Sequence, residues 1–233
     1  MKKQFCKLLF LMIISIIAHG FVFAEVKEGA SEGKVNLPPF TLEQLCENLA
    51  KQTITSGDFT QTKILRTNGR KLMSHGNFIF CPEGILWDTK KPFASSLIMT
   101  NDKIIQISSN GKKTVMDGKD NNLFASISET LNSVFSGDAE KLQQNFNCEL
   151  YEEEGYKIWR LALTPKDSTI ASVMAELLLS GTYTFENKDS VLSIVLDGFK
   201  MSEKDGNTIL YSFTNLKYPE ELSADEKKYF ISE

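Results

Sequence analysis

The chain has 233 residues, a formal net charge of −4, 42% hydrophobic residues and 10% aromatic residues. A chain of this length can bury a large hydrophobic core within one domain. Nucleic-acid binding is not expected, because phosphates are recognised by a basic stripe and the chain as a whole is acidic.

Residues 1–24 have the pattern of a secretory signal peptide. Three lysines flank an apolar stretch from Leu8 to Ile17, which is shorter than the roughly 18 residues expected of a membrane span. We expect cleavage after Ala24, although residues 18–20 offer a second site. The pattern therefore predicts a secreted protein without a membrane anchor.

A polar segment of residues 25–39 follows and ends in Leu37-Pro38-Pro39. Two consecutive prolines fit neither a regular helix nor a central strand, so we predict a flexible lead here. No repeat or low-complexity linker divides the remaining chain. We therefore expect one folded domain over residues 40–233.

The domain is predicted to begin with an amphipathic helix that runs to about Gln52. Thr41 is a good N-cap, and Gln44 stands three positions later, as in a capping box. Apolar residues then recur at positions i, i+3, i+4 and i+7, which is the spacing of one helix face. This face consists of Leu42, Leu45, Cys46 and Leu49.

Short runs rich in β-branched and aromatic residues come next, separated by turn signals such as Asn68-Gly69 and Asn110-Gly111. They predict consecutive antiparallel strands, each with two distinct faces. The predicted strands are 58–66, 71–80, 85–88, 95–100, 103–108 and 112–116.

The helical period returns between Asp120 and Phe146. Gly137 ends a long predicted helix, and Asp138 caps a shorter one. The apolar stripe of the long helix includes Phe124, Ile127 and Leu131.

The last third of the chain predicts strands at 148–152, 156–164, 181–186, 191–200 and 208–218. Ser168 can cap a brief helix between the second and third of these strands, although residues 176–179 could equally open the next strand. These elements predict an α+β fold that is mainly β. Its strongly curved antiparallel sheet would form an incomplete, half-open barrel, with helices as a lid over the concave face.

Catalytic residues, a metal site and a cofactor are not expected. His75 lies in a predicted strand without a nucleophile turn nearby, and the acidic run 152–154 lies in a predicted hairpin turn without the ligand spacing of a calcium loop. After signal-peptide removal, Cys46, Cys81 and Cys148 remain. One disulfide or three buried thiols are both compatible with this spacing, and the sequence does not choose a pair.

Several short motifs occur in a fixed order from about Phe40 to Phe230. They are Gly57-Asp58-Phe59-Thr60-Gln61-Thr62, Gly76-Asn77-Phe78-Ile79-Phe80, Leu86-Trp87, Pro92 through Asp102-Lys103, Leu161 to Lys166, and Ser212-Phe213-Thr214-Asn215-Leu216. In this order the chain resembles a divergent member of the periplasmic outer-membrane lipoprotein carrier family, LolA. The resemblance implies a monomeric carrier whose cavity shelters lipoprotein or lipid acyl chains. Its implied partners are an inner-membrane release complex and an outer-membrane acceptor.

One departure concerns the lid. The best-studied carriers have an arginine between the second and third strands that holds the helical lid, but this chain has Cys81-Pro82-Glu83-Gly84 there. Ile85 is the nearest candidate for the companion aromatic position. The resemblance therefore implies a lid that is held differently, and it leaves open a different lipid or a dedicated client as cargo.

From these patterns we predict an acyl-binding surface and a lid. The binding candidates share strand faces or a helix stripe, and the lid candidates form one helix face. A lipid-sensing or scaffold protein on the same fold, acting through a protein partner, is the alternative function. The binding candidates are Phe78, Phe80, Ile85, Trp87, Leu97, Met99, Phe124, Ile127 and Leu131, and the lid candidates are Leu42, Leu45 and Leu49.

Overall fold

The computed structural model describes residues 35–100, 102–117, 137–153, 155–187 and 190–230. The described residues form one antiparallel sheet with short helices packed against it. The strands are β1 Val35–Asn36, β2 Thr55–Ile64, β3 Lys71–Cys81, β4 Gly84–Lys91, β5 Ser95–Thr100, β6 Lys103–Ile107, β7 Lys113–Asp117, β8 Phe146–Glu153, β9 Ile158–Pro165, β10 Met174–Asn187, β11 Ser190–Glu203 and β12 Thr208–Lys217. The helices are α1 Leu42–Ala50, α2 Ala139–Asn145, α3 Ser168–Ala171 and α4 Ala224–Phe230.

The strands lie in the order β1-β8-β9-β10-β11-β12-β2-β3-β4-β5-β6-β7. Most pairs are hairpins, but β2 pairs with β12 and thereby joins the first and last thirds of the chain. The first and last strands of this order, β1 and β7, do not pair with each other, so the sheet is open. The predicted fold class is confirmed.

Aromatic contacts across the sheet show how strongly it curves. Neighbouring strands of a flat sheet lie about 4.8 Å apart, so β4 and β11, four steps apart, would be separated by about 19 Å. Yet the rings of Trp87 in β4 and Phe199 in β11 are 6.5 Å apart. Trp87 also lies 5.1 Å from the ring of Tyr211 in β12. The face that carries these rings is therefore concave, and we call it the inner face.

Helix α1 forms where the sequence predicts it and packs on the inner face. The Thr41 side chain accepts a hydrogen bond from the Gln44 backbone, and the Gln44 side chain accepts one from the Thr41 backbone. This capping box satisfies two amide groups that a helix start otherwise leaves unpaired. The four apolar residues of the predicted helix face are all buried in the main core, together with residues of α2 and α3.

Helix α4 lies on the opposite face of the sheet, so the helices do not all belong to the lid. Phe230 packs against a separate outer cluster that contains Ile79, Leu86 and Ile98. These three side chains alternate along their strands with the inner-face residues, as a pleated strand requires. The C-terminal segment therefore covers the outer face and closes a second, smaller core.

One expectation is corrected by the structure, and one alternative that the sequence left open is decided. The end of the predicted flexible lead is ordered, because Val35–Asn36 pair with Glu152 and Glu153 of β8 and Pro38 is buried. The segment after Ser168 contains only one helical turn, and β10 already begins at Met174. Pairing with β9 and β11 on both sides supplies this strand with hydrogen bonds that a short helix would lack.

Trp159 fills a space in the core that exists because Gly181 has no side chain. The indole Nε1 donates to the carbonyl oxygens of Thr182 and Val195, each at 3.2 Å. A Cβ atom on Gly181 would lie 1.8 Å from the Val195 oxygen and 2.7 Å from the Trp159 ring. The backbone must therefore shift if any side chain is added at this position.

We expect Gly181→Ala to lower the free energy of unfolding by about 1–3 kcal/mol, as overpacking does in other cores. Urea unfolding at equilibrium measures this change. Ser180→Ala is the control, because it shortens the neighbouring side chain and introduces no clash. Equal stability of both variants would contradict the packing described for Trp159.

Candidate functional site

Seven aromatic side chains from five strands meet on the inner face, and we call them the aromatic cluster. Neighbouring rings are separated by 4.6–6.5 Å, which is the usual range for aromatic pairs. The cluster consists of Phe59, Phe78, Phe80, Trp87, Phe199, Tyr211 and Phe213.

The strand register places the predicted binding residues of β3, β4 and β5 on this same face. Phe78 lies opposite Trp87, and Phe80 lies opposite Ile85. In the β4–β5 pairing, Trp87 lies opposite Leu97 and Ile85 lies opposite Met99. Leu97 and Met99 pack with Ile85 in a smaller apolar cluster beside the aromatic one. The remaining binding candidates, Phe124, Ile127 and Leu131, lie outside the described residues.

Several aromatic residues of the cluster were not among the sequence-based candidates. Phe199, Tyr211 and Phe213 come from the last third of the chain and meet the early strands because β12 pairs with β2. Their alternation along β11 and β12 is visible in the sequence. That alternation does not reveal which strands become neighbours, so it could not place them at the site.

The α1 helix covers part of the inner face through apolar contacts. Between its C-terminal end and the sheet lies a cavity of about 30 Å³, bordered by Leu49, Phe78, Phe80 and Phe213, among others. That volume holds about two water molecules and cannot hold an acyl chain. A hydrocarbon chain that enters this cavity requires α1 or the side chains around the cavity to move.

The start of α1 is anchored by a contact between two aromatic rings. The ring of Phe40 packs edge-on against that of Tyr183, with centroids 5.3 Å apart. The Tyr183 hydroxyl donates a hydrogen bond to Glu152 in β8. Burial and this carboxylate raise the pKa of Tyr183 to about 12. The start of α1 thus rests on an apolar contact whose tyrosine donates a hydrogen bond to a carboxylate.

Polar groups on the inner face are few among the described residues. The buried Nε1 of Trp87 has no hydrogen-bond partner there.

His75 is exposed, and its Nδ1 lies 3.0 Å from the Thr60 hydroxyl. Glu152 and Glu153 lie in β8 and not in the predicted turn, and Glu153 pairs with Arg160.

A search of the described ranges finds no group of three or more His, Cys, Asp and Glu side chains that could hold a metal ion. Within those ranges, no helix has the length and apolar character needed to cross a bilayer.

The family comparison decides the relationship that the short motifs indicated. A model of the family "outer membrane lipoprotein carrier protein LolA" matches residues 50–229. The chain belongs to the LolA family. This is a family of carrier proteins, and the match covers every strand described here from β2 to β12. A comparison with curated proteins gives no match.

Two crystal structures of other proteins are similar to this chain over most of their length. A LolA superfamily protein from Nitrosomonas europaea has 11% identity and a TM-score of 0.45, with 83% of this chain and 98% of that one covered. A DUF1329 family protein from Desulfovibrio piger has 10% identity and a TM-score of 0.45, with 82% of this chain and 95% of that one covered.

The three cysteines among the described residues are free thiols. Cys46 of α1 and Cys148 of β8 belong to the main core, whereas Cys81 packs on the outer cluster. Burial raises the pKa of Cys46 to about 12, with a further contribution from the nearby Cys148 thiol. Burial also raises the pKa of Cys81 to about 12 and that of Cys148 to about 11.

We therefore expect the folded protein to resist alkylation by iodoacetamide at pH 8. The thiolate is the reactive form, and raising a thiol pKa from 9 to about 12 lowers the thiolate fraction roughly 1000-fold. Mass spectrometry of peptides from native and urea-unfolded protein measures the rate at each cysteine. Reaction of Cys46 at the unfolded rate would contradict its burial.

Proposed function

We propose that this protein is a periplasmic carrier that binds acyl chains of a lipid or lipoprotein reversibly on its inner face, beneath α1. The aromatic cluster carries the proposal, because it is a continuous apolar surface built from five strands and partly covered by a short helix. Apolar clefts with few polar groups are typical of sites for hydrophobic ligands. Membership of a family of lipoprotein carriers supports the same function.

The free-energy cost of displacing α1 is close to the free energy gained by burying a hydrocarbon chain in its place. Leu42, Leu45 and Leu49 are each at most 8% exposed, and exposing three such side chains costs about 5–9 kcal/mol. Sheltering an acyl chain from water gains about 0.8 kcal/mol per methylene. Roughly 6–11 methylenes therefore offset the lifted helix. A fatty acyl chain of ordinary length can open the lid, and the returning helix helps to release it.

The proposed pathway begins with export by the signal peptide of residues 1–24. In the periplasm the carrier would receive acyl chains from an inner-membrane release complex and pass them to an outer-membrane acceptor. No catalytic step is part of this proposal. We expect the carrier to act as a monomer during transfer, as the family resemblance implies.

Delipidated protein is expected to bind a fluorescent fatty-acyl probe. Phe80→Ala and Trp87→Ala should each weaken binding about tenfold, because each removes a ring from the aromatic cluster. Leu86→Ala is the matched control, since Leu86 is 4% exposed but faces the outer cluster. Fluorescence titration measures the three affinities, and urea unfolding reports the stability of each variant.

Equal loss of binding in all three variants would show that stability and not the inner face controls the result. If the wild-type protein takes up no probe and carries no lipid when freshly purified, yet binds a protein partner tightly, the scaffold alternative replaces the carrier.

A further inference from the structure

The inner face contains a buried ion pair within an otherwise apolar surface. The Nζ atom of Lys63 lies 3.1 Å from Oε2 of Glu203, and the two side chains are only 5% and 7% exposed. Gln61 is also buried, and its amide oxygen accepts a hydrogen bond of 3.0 Å from the Ser74 hydroxyl. Other than tyrosine and tryptophan, the buried polar or charged side chains among the described residues are Gln61, Lys63 and Glu203.

The strand register places this pair directly beside the aromatic cluster. Phe59, Gln61 and Lys63 alternate along β2 and are all buried on the inner face. Gln61 lies opposite Tyr211, and Lys63 lies opposite Ile209 of β12. Side chains opposed in this way have Cβ atoms about 5 Å apart. The aromatic cluster and the charged groups therefore form one continuous surface.

The pair is incompletely satisfied by its surroundings. Although Lys63 is close to Oε2 of Glu203, this oxygen accepts no hydrogen bond of good geometry from the described residues. A lysine ammonium has three donors, so further acceptors can be bound. Two buried charges lose their hydration, and apolar replacements of such pairs are often equally stable or more stable. Fold stability therefore does not explain why the pair is here.

We infer that Lys63 and Glu203 form a subsite for the zwitterionic head group of an amphiphile, with its acyl chain on the aromatic cluster. The phosphate would replace Glu203 beside Lys63, and the ammonium would replace Lys63 beside Glu203, so the ion pair opens as the head group enters. An anionic head group is attracted by Lys63 but repelled by Glu203, because the pair has no net charge. A phosphoethanolamine head group matches both residues. This inference rests on the proposed function.

The test uses three single-chain amphiphiles with the same acyl length. Lysophosphatidylethanolamine is zwitterionic, lysophosphatidylglycerol is anionic, and the fatty alcohol is uncharged. Tryptophan fluorescence of the wild-type protein, titrated with each below its micelle concentration, should show about tenfold tighter binding of lysophosphatidylethanolamine than of the other two.

The double variant Lys63→Met/Glu203→Met should lose this preference and still bind the fatty alcohol. Its matched control is Lys227→Met/Glu221→Met, which removes a lysine–glutamate pair of similar length, 3.2 Å, whose side chains are 50% and 84% exposed. The control should retain the preference.

Each remaining outcome overturns the inference. Equal affinities in the wild-type protein, or a preference that survives in the Lys63/Glu203 double variant, would remove the head-group subsite while binding of the alcohol leaves the carrier function intact. Absence of binding for all three amphiphiles in the wild-type protein would overturn both. The wild-type comparison decides the point even if the double variant does not fold.

Discussion

The curl of the sheet is the constraint on which the rest of this structure depends. It brings Trp87 of β4 and Phe199 of β11 into contact, although four strand steps separate them. Only a strongly bent sheet concentrates aromatic rings from both ends of the chain on one face. Pairing of β2 with β12 makes this bend possible, because it joins the early and late strands into a single surface. The aromatic cluster and the packing of α1 on the inner face both follow from that arrangement.

A carrier must hold its ligand and then release it, so the strength of the lid matters as much as the apolar surface beneath it. Here α1 is held by a few buried apolar side chains, its capping box and the contact between Phe40 and Tyr183. None of these contacts is an ion pair with α1. The free energy needed to lift α1 is therefore comparable to that gained by burying one acyl chain. In the proposed carrier, exchange between helix and ligand would then proceed in both directions.

Local patterns explain which parts of the fold could be predicted from the sequence. Alternation and turn signals give most strands, and the Thr41–Gln44 capping box gives α1, because both depend on residues close in the chain. The sequence does not show which strand face is the inner one, since Phe78 and Ile79 point to opposite sides of the sheet and both are buried. Only the register with β12 and the packing of α4 distinguish them. Lys63 and Glu203 lie in strands that are far apart in the sequence, β2 and β11, so no local pattern predicts that they pair.

The central claim is that an acyl chain lies against the aromatic cluster when α1 moves, and Trp87 can report this directly. The chain has two tryptophans, Trp87 and Trp159, so the Trp159→Phe variant has Trp87 as its single tryptophan. A fatty acid brominated in mid-chain quenches a tryptophan that it contacts. We expect saturable quenching of Trp87 by the brominated acid and none by its unbrominated counterpart. Binding of the brominated acid without quenching of Trp87 would contradict the account.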